Sequence, residues 1–167
     1  MTQDNREYRE NNLSNDLNEH SLISPLDSES LLFAPKIRLG ILASGNGSNF
    51  EYIIKSIQNK QLNAEIPILI VNNPNCLAIQ KAIKYKIPYV IINHRDCSSR
   101  IEHDMLVMKK LEELSVELVV MAGWMRIVGE EIINRFENRL INIHPSLLPS
   151  FKGVDAIQQA IDNSVTI

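Results

Sequence analysis

The sequence predicts an α/β protein, a Rossmann-like and mostly parallel sheet with helices on both faces. Two observations carry this. From Lys36 onward, short apolar runs alternate with amphipathic stretches at helical spacing, strand and helix in turn. The apolar runs are near-continuous in Val, Ile and Leu rather than alternating, as expected of strands covered on both faces.

The first strand spans Ile37–Ala43, and a helix follows over Ser48–Asn59. A second strand over Ile66–Val71 leads to a helix over Asn75–Lys86, and a third over Pro88–Ile92 leads to Arg100–Leu114. In that last helix Ile101, Met105, Met108 and Leu111 recur at helical spacing and mark an inner face, with Lys109, Lys110, Glu112 and Glu113 outside. The strand Glu117–Ala122 precedes a helix over Glu130–Phe136. The strand Arg139–Ile143 precedes a helix over Asp155–Asn163.

The 167 residues suit one domain with a real core, and 44% hydrophobic with 22% charged is an ordinary soluble composition. Residues 1–35 are rich in Asn, Ser, Asp and Glu without a sustained period, and are expected to form a disordered leader. They hold seven acids against Arg6 and Arg9, a net −5, so the remainder carries −3 + 5 = +2. A mildly positive globular part suits small anionic ligands and offers no strong pull toward nucleic acid or an anionic membrane. No apolar run approaches the ~20 residues of a membrane span. Cys76 and Cys97 are expected to be free thiols in a reduced compartment, and no metal ligand set is expected around them.

Parallel sheets bind ligands at the carboxyl ends of their strands. There Ser44-Gly45-Asn46-Gly47-Ser48-Asn49 joins the first strand to its helix. Two glycines permit positive φ and a close backbone approach, and Ser48 or Asn49 can cap the helix. Free N–H groups at the helix start favour an anion. The loop lacks the third glycine of a dinucleotide fingerprint and the Gly-Lys-Ser/Thr of a P-loop, which argues against both nucleotide classes. Taken alone it only modestly favours a phosphate over a tight turn with an N-cap.

At the last strand, Asn142 and His144 lie two apart and point the same way. Pro145 biases His144 toward an extended conformation. An imidazole can move a proton between a reacting nitrogen and oxygen, and an amide N–H can stabilise an oxyanion. Gly123-Trp124-Met125-Arg126-Ile127-Val128 ends the fourth strand. Its backbone can pair with a flat heterocycle, with Met125, Ile127 and Val128 as apolar walls. Core packing is the competing role for Trp124, Met125 and Ile127, and a salt bridge for Arg126. Arg100 opens a helix near a strand end. His94 and His103 have no obvious partner, and Lys81, Lys84 and Lys86 read as a solvated helix face.

These three motifs, with Asn142-Ile143-His144-Pro145-Ser146-Leu147-Leu148-Pro149 as the most specific, resemble in order and spacing the phosphoribosylglycinamide formyltransferases. The likeness runs from about Lys36 to the last residue. It implies formyl transfer from the co-substrate 10-formyltetrahydrofolate to the amine of 5-phosphoribosylglycinamide, in de novo purine (IMP) biosynthesis. It further implies a cytoplasmic monomer or homodimer acting on small molecules without a metal. By motif, Gly47, Ser48 and Asn49 would hold the substrate phosphate. Arg100, Met125, Arg126, Ile127, Val128 and Asn142 would bind the folate. Asn142 and His144 would be catalytic, His144 as proton donor. The family pairs that histidine with an aspartate on a later segment. The expectation is therefore a formyltransferase domain over 36–167 whose closing strands are missing, with weak or no activity alone. Formyltetrahydrofolate deformylase and methionyl-tRNA formyltransferase share the histidine region. The first should not need the phosphate loop, and the second should carry an RNA-binding part. A non-catalytic α/β module that binds a phosphate ligand is the alternative from another class.

Overall fold

The computed structural model describes residues 35–144, 146, 150, 151, 153 and 155–165. The expected leader up to residue 34, and Pro145, Leu147, Leu148 and Pro149 of the histidine motif, lie outside the described residues. The chain divides into Met1–Pro35 and Lys36–Ile167, and the fold is that of the second unit.

Five strands form it: β1 (Ile37–Ala43), β2 (Ala64–Val71), β3 (Tyr89–Ile91), β4 (Leu118–Met121) and β5 (Leu140–Asn142). The helices are α1 (Ser48–Gln58), α2 (Ala78–Tyr85), α3 (Arg100–Glu113), α4 (Glu130–Arg135) and α5 (Ala156–Asp162), and a 3₁₀ turn covers His94–Asp96. Every expected element is present, and most bounds move by only one or two residues. The start of α2 moves furthest, from Asn75 to Ala78. The Asn73 side chain accepts the Asn75 N–H at 3.0 Å and its carbonyl accepts that of Cys76, so the chain turns before it coils.

The strand order is β3-β2-β1-β4-β5, and every pairing is parallel. Side chains of β1 alternate between two cores. Leu39, Ile41 and Ala43 pack with Phe50 and Ile54 of α1 and with Ala78 and Ala82 of α2. Leu42 packs with Val107 and Leu111 of α3, and with Ile132 of α4 and Phe136 just beyond it. The sheet is thus covered on both faces, as the unbroken apolar runs predict. The β1–β2 register shifts between Arg38 and Gly40, beside Pro67, which has no N–H to give the ladder.

The inner face of α3 differs from expectation. His103, Asp104, Val107 and Leu111 are buried, whereas Ile101 and Met105 are more than half exposed. Apolar period alone misplaces the face because it treats His103 and Asp104 as outward. Both satisfy their hydrogen-bonding groups inside, which removes the cost of burying them.

The direction in which strands are added reverses at β1. The chain winds from β1 to β2 to β3 on one side, then returns to β4 and β5 on the other. Between the carboxyl ends of β1 and β4 lies the topological switch point, where such sheets open a crevice.

Candidate functional site

Two predicted loops meet at this switch point. The Ser44 N–H donates to Gly123 O at 3.1 Å, and the Met125 N–H donates to Ser44 Oγ at 2.9 Å. Ser44 therefore ties the glycine loop after β1 to the Trp124–Val128 loop after β4. The third motif is one strand further, since Met121 pairs with Asn142 in the sheet register.

In the glycine loop the two glycines are not equivalent. Gly47 has φ +66°, and a Cβ there would stand 2.9 Å from Ala78 Cβ and 3.0 Å from Ala78 Cα. Gly45 lacks a positive φ and has nothing within 4 Å of where a Cβ would be. The expectation that Ser48 or Asn49 caps α1 is corrected. Gly47 is the N-cap, and no side chain closes the helix start. The first helical bond runs from Glu51 N–H to Gly47 O, so the amides of Ser48, Asn49 and Phe50 precede the ladder. Ser48 and Asn49 are exposed. A left-handed glycine is what lets the loop turn into the helix without a side-chain cap occupying the anion position.

Sequence reasoning missed the support behind this loop. Lys81, read as part of a solvated face, donates to Gly47 O at 3.3 Å and pairs with Glu51 at 2.9 Å. Tyr85 OH also donates to Glu51, at 2.8 Å, and Lys55 and Lys84 lie 3.6 and 3.7 Å from it. The bonds from Lys81 and Tyr85 hold the Glu51 carboxyl down at about 2, against an ordinary 4.5. An acid in the first turn of α1 would repel a phosphate. Here three ammonium groups surround one carboxylate, leaving the neighbourhood net positive. No local spacing signals the pairing, because Glu51 and Lys81 sit on different helices.

In the loop after β4 the four apolar residues divide. Trp124 and Val128 pack against the core, whereas Met125 and Ile127 are 80% and 75% exposed. Core packing thus accounts for Trp124 and leaves the other two as apolar surface beside the crevice. Arg126 is partly buried between them. Trp124 stacks on His103, with ring centroids 5.9 Å apart, and Gly129 N–H donates to Asp104 Oδ2 at 2.8 Å. Both contacts bring the first turns of α3 to this loop although α3 follows the distant strand β3. Arg100 lies three and four residues before His103 and Asp104, hence on the same side of the helix, and is exposed. The reading of His103 as partnerless is corrected by these contacts. His94 also has neighbours, with Nδ1 3.4 Å from Asn72 O.

Asn142 and His144 are both exposed at the end of β5. The imidazole Nε2 of His144 is 2.9 Å from Ser146 Oγ, and Ser146 Oγ donates to Phe151 O at 2.7 Å. A hydroxyl has one proton, and the carbonyl takes it. The remaining contact therefore requires a proton on His144 Nε2. Ser146 is a second residue that the sequence reading did not single out, and its place two residues after the histidine is the signal that could have found it.

Among the described residues no group of three His, Cys, Asp or Glu is arranged for a metal, and no helix is long and apolar enough to cross a membrane. Both cysteines are free. A cavity of about 380 Å³ lies between the end of β3 and α3, lined by Val90, Ile92, Asn93, Leu106 and Lys109 among others. It includes none of the motif residues.

Comparison with known proteins agrees with the fold. Residues 37–167 match the family described as formyl transferase. The human trifunctional purine biosynthetic protein adenosine-3 is 39% identical over 132 residues, covering 79% of this chain and 13% of that protein. The solved phosphoribosylglycinamide formyltransferase of Bacillus halodurans is 38% identical with a TM-score of 0.73, covering 77% of this chain and 66% of the other. Glycinamide ribonucleotide transformylase 1 of Geobacillus kaustophilus is 31% identical with a TM-score of 0.75, covering 78% and 70%. This chain thus spans only a small part of the trifunctional protein and about two thirds of the solved enzymes.

Proposed function

We propose that this chain, which belongs to the formyl transferase family, carries the site that moves a formyl group from 10-formyltetrahydrofolate to the amine of 5-phosphoribosylglycinamide. The observation that carries this is the Ser44 tie, which sets an uncapped anion-binding helix start beside exposed apolar groups at one switch point. A substrate with a phosphate at one end and a donor with a flat heterocycle need those two surfaces next to each other. Relatives named for purine biosynthesis and for phosphoribosylglycinamide formyl transfer support the phosphoribosyl acceptor.

In this reading the backbone of Gly47, Ser48 and Asn49 receives the phosphate, with Lys81 adding charge from behind. Met125, Ile127 and Val128 wall the folate, with Arg126 and Arg100 toward its carboxylates. The glycinamide nitrogen attacks the formyl carbon, forming a C–N bond and an oxyanion. The Asn142 amide donates to that oxyanion. His144 supplies a proton to the folate nitrogen and takes up the one the ammonium releases, and the oxyanion collapses to the new formamide as the old C–N bond breaks. The setting is cytoplasmic, the ligands are small molecules, and the protein acts as a monomer or homodimer.

Calorimetric titration with phosphoribosylglycinamide tests the phosphate half. Binding should weaken at least about tenfold in Asn49→Pro, which removes an N–H donor and biases Ser48 away from helical backbone. Absence of binding to the wild-type chain, or equal binding by the variant, would sink the assignment.

A further inference from the structure

The loop that this reading assigns to the formyl donor is held from two sides. Ser44 fixes its beginning through Gly123 and Met125. Its end is fixed by a buried pair on α3, His103 at 1% and Asp104 at 3% exposure. Asp104 Oδ2 accepts the Gly129 N–H at 2.8 Å. The fit is close, since a Cβ on Gly129 would come within 2.6 Å of that oxygen. His103 Nε2 lies 3.0 Å from Ile92 O, and a carbonyl only accepts, so Nε2 carries a proton. Its Nδ1 faces Asp104 Oδ1 at 3.4 Å, and its ring supports Trp124, with the planes 22° apart. Between these anchors Met125 and Ile127 project into solvent.

Burying two ionisable side chains is costly unless they are paired and hydrogen-bonded. Apolar residues would serve packing alone. What this pair supplies is direction: one acceptor aimed at the last amide of the loop, and one ring plane under its tryptophan.

We propose that Asp104 and His103 are positioning residues that set the shape of the Gly123–Gly129 loop for the formyl donor's heterocycle. They do not touch the substrate phosphate. This rests on the assignment of that loop to the donor. Selective control of donor affinity follows, because the loop is tied at one end to α3 and the anion loop is tied to α2.

The test is calorimetric titration of the full chain with tetrahydrofolate and, separately, with phosphoribosylglycinamide. Asp104→Ala should weaken tetrahydrofolate at least about tenfold, as expected for a lost hydrogen bond to a charged group. It should leave phosphoribosylglycinamide within about twofold. Asp104→Asn can still accept from Gly129 and donate to His103 Nδ1, and should recover most of the loss. Trp124 is the only tryptophan in the chain, so its emission should shift in Asp104→Ala and return in Asp104→Asn. Gly129→Ala, which pushes the loop off the carboxylate, should repeat the selective loss should Asp104→Ala fail to fold. Wild-type affinity for tetrahydrofolate in Asp104→Ala or Gly129→Ala, or an equal loss of both ligands, overturns the proposal. Failure of the wild-type chain to bind tetrahydrofolate overturns the donor-site reading itself, and the proposed positioning role with it.

Discussion

Replacing Gly47 by alanine sets two separate costs against the fold. The left-handed conformation at φ +66° is disfavoured for any residue with a Cβ, by about 1–2 kcal/mol. The new methyl would also stand 2.9 Å from Ala78 Cβ, and overpacking of this kind costs about 1–3 kcal/mol. Together they predict a loss of about 2–5 kcal/mol against a total stability of about 5–15 kcal/mol. Urea unfolding measures it, as a lower midpoint at unchanged slope. The same strain moves the amides of Ser48 and Asn49, so inorganic phosphate should bind less tightly by calorimetry. Gly45→Ala is the internal control. Its Cβ would meet nothing within 4 Å, and its change should stay within about 0.5 kcal/mol. If the two variants unfold at the same urea concentration, the strained-turn account of this loop is wrong.

Glu51 should couple stability to acid. Its folded value of about 2 lies below the ordinary 4.5, so its contribution is full above 4.5 and is lost as pH falls toward 2. Thermal midpoints of the wild type should drop more steeply through that window than those of Glu51→Gln, and parallel curves would refute the assignment. In a longer chain that carries the partner aspartate, His144→Ala should lower formyl transfer by about 100-fold or more while phosphoribosylglycinamide still binds, and near-normal turnover would remove it as proton donor. Ser146→Ala frees His144 Nε2 from its acceptor. It should lower kcat at unchanged KM in the same longer chain, and an unaltered kcat would deny Ser146 an orienting role.

Much of this was legible along the chain because the signals are local. A buried parallel strand needs an unbroken apolar run, so Ile37–Ala43 is recognisable without its neighbours. Parallel strands need crossovers, so order and fold class follow. The three loops are likewise contiguous runs of residues, and parallel topology places them at one edge. The inner face of α3 was misread because period counts apolar groups and is blind to polar groups that are satisfied inside. Which loops touch depends on the strand order, since β1 lies between β2 and β4. Only that arrangement lets Ser44 bridge to Met125, and only helix packing brings Asp104 to Gly129 and Lys81 to Glu51. By sequence Gly45 and Gly47 are two glycines of one loop. The tertiary structure distinguishes them, because Gly47 takes a left-handed φ and lies against Ala78 on another helix, whereas Gly45 does neither. By itself, then, the sequence determined the α/β order and the three motif loops. Tertiary structure decided which side chains hold those loops in place, since such contacts join residues that no local spacing relates.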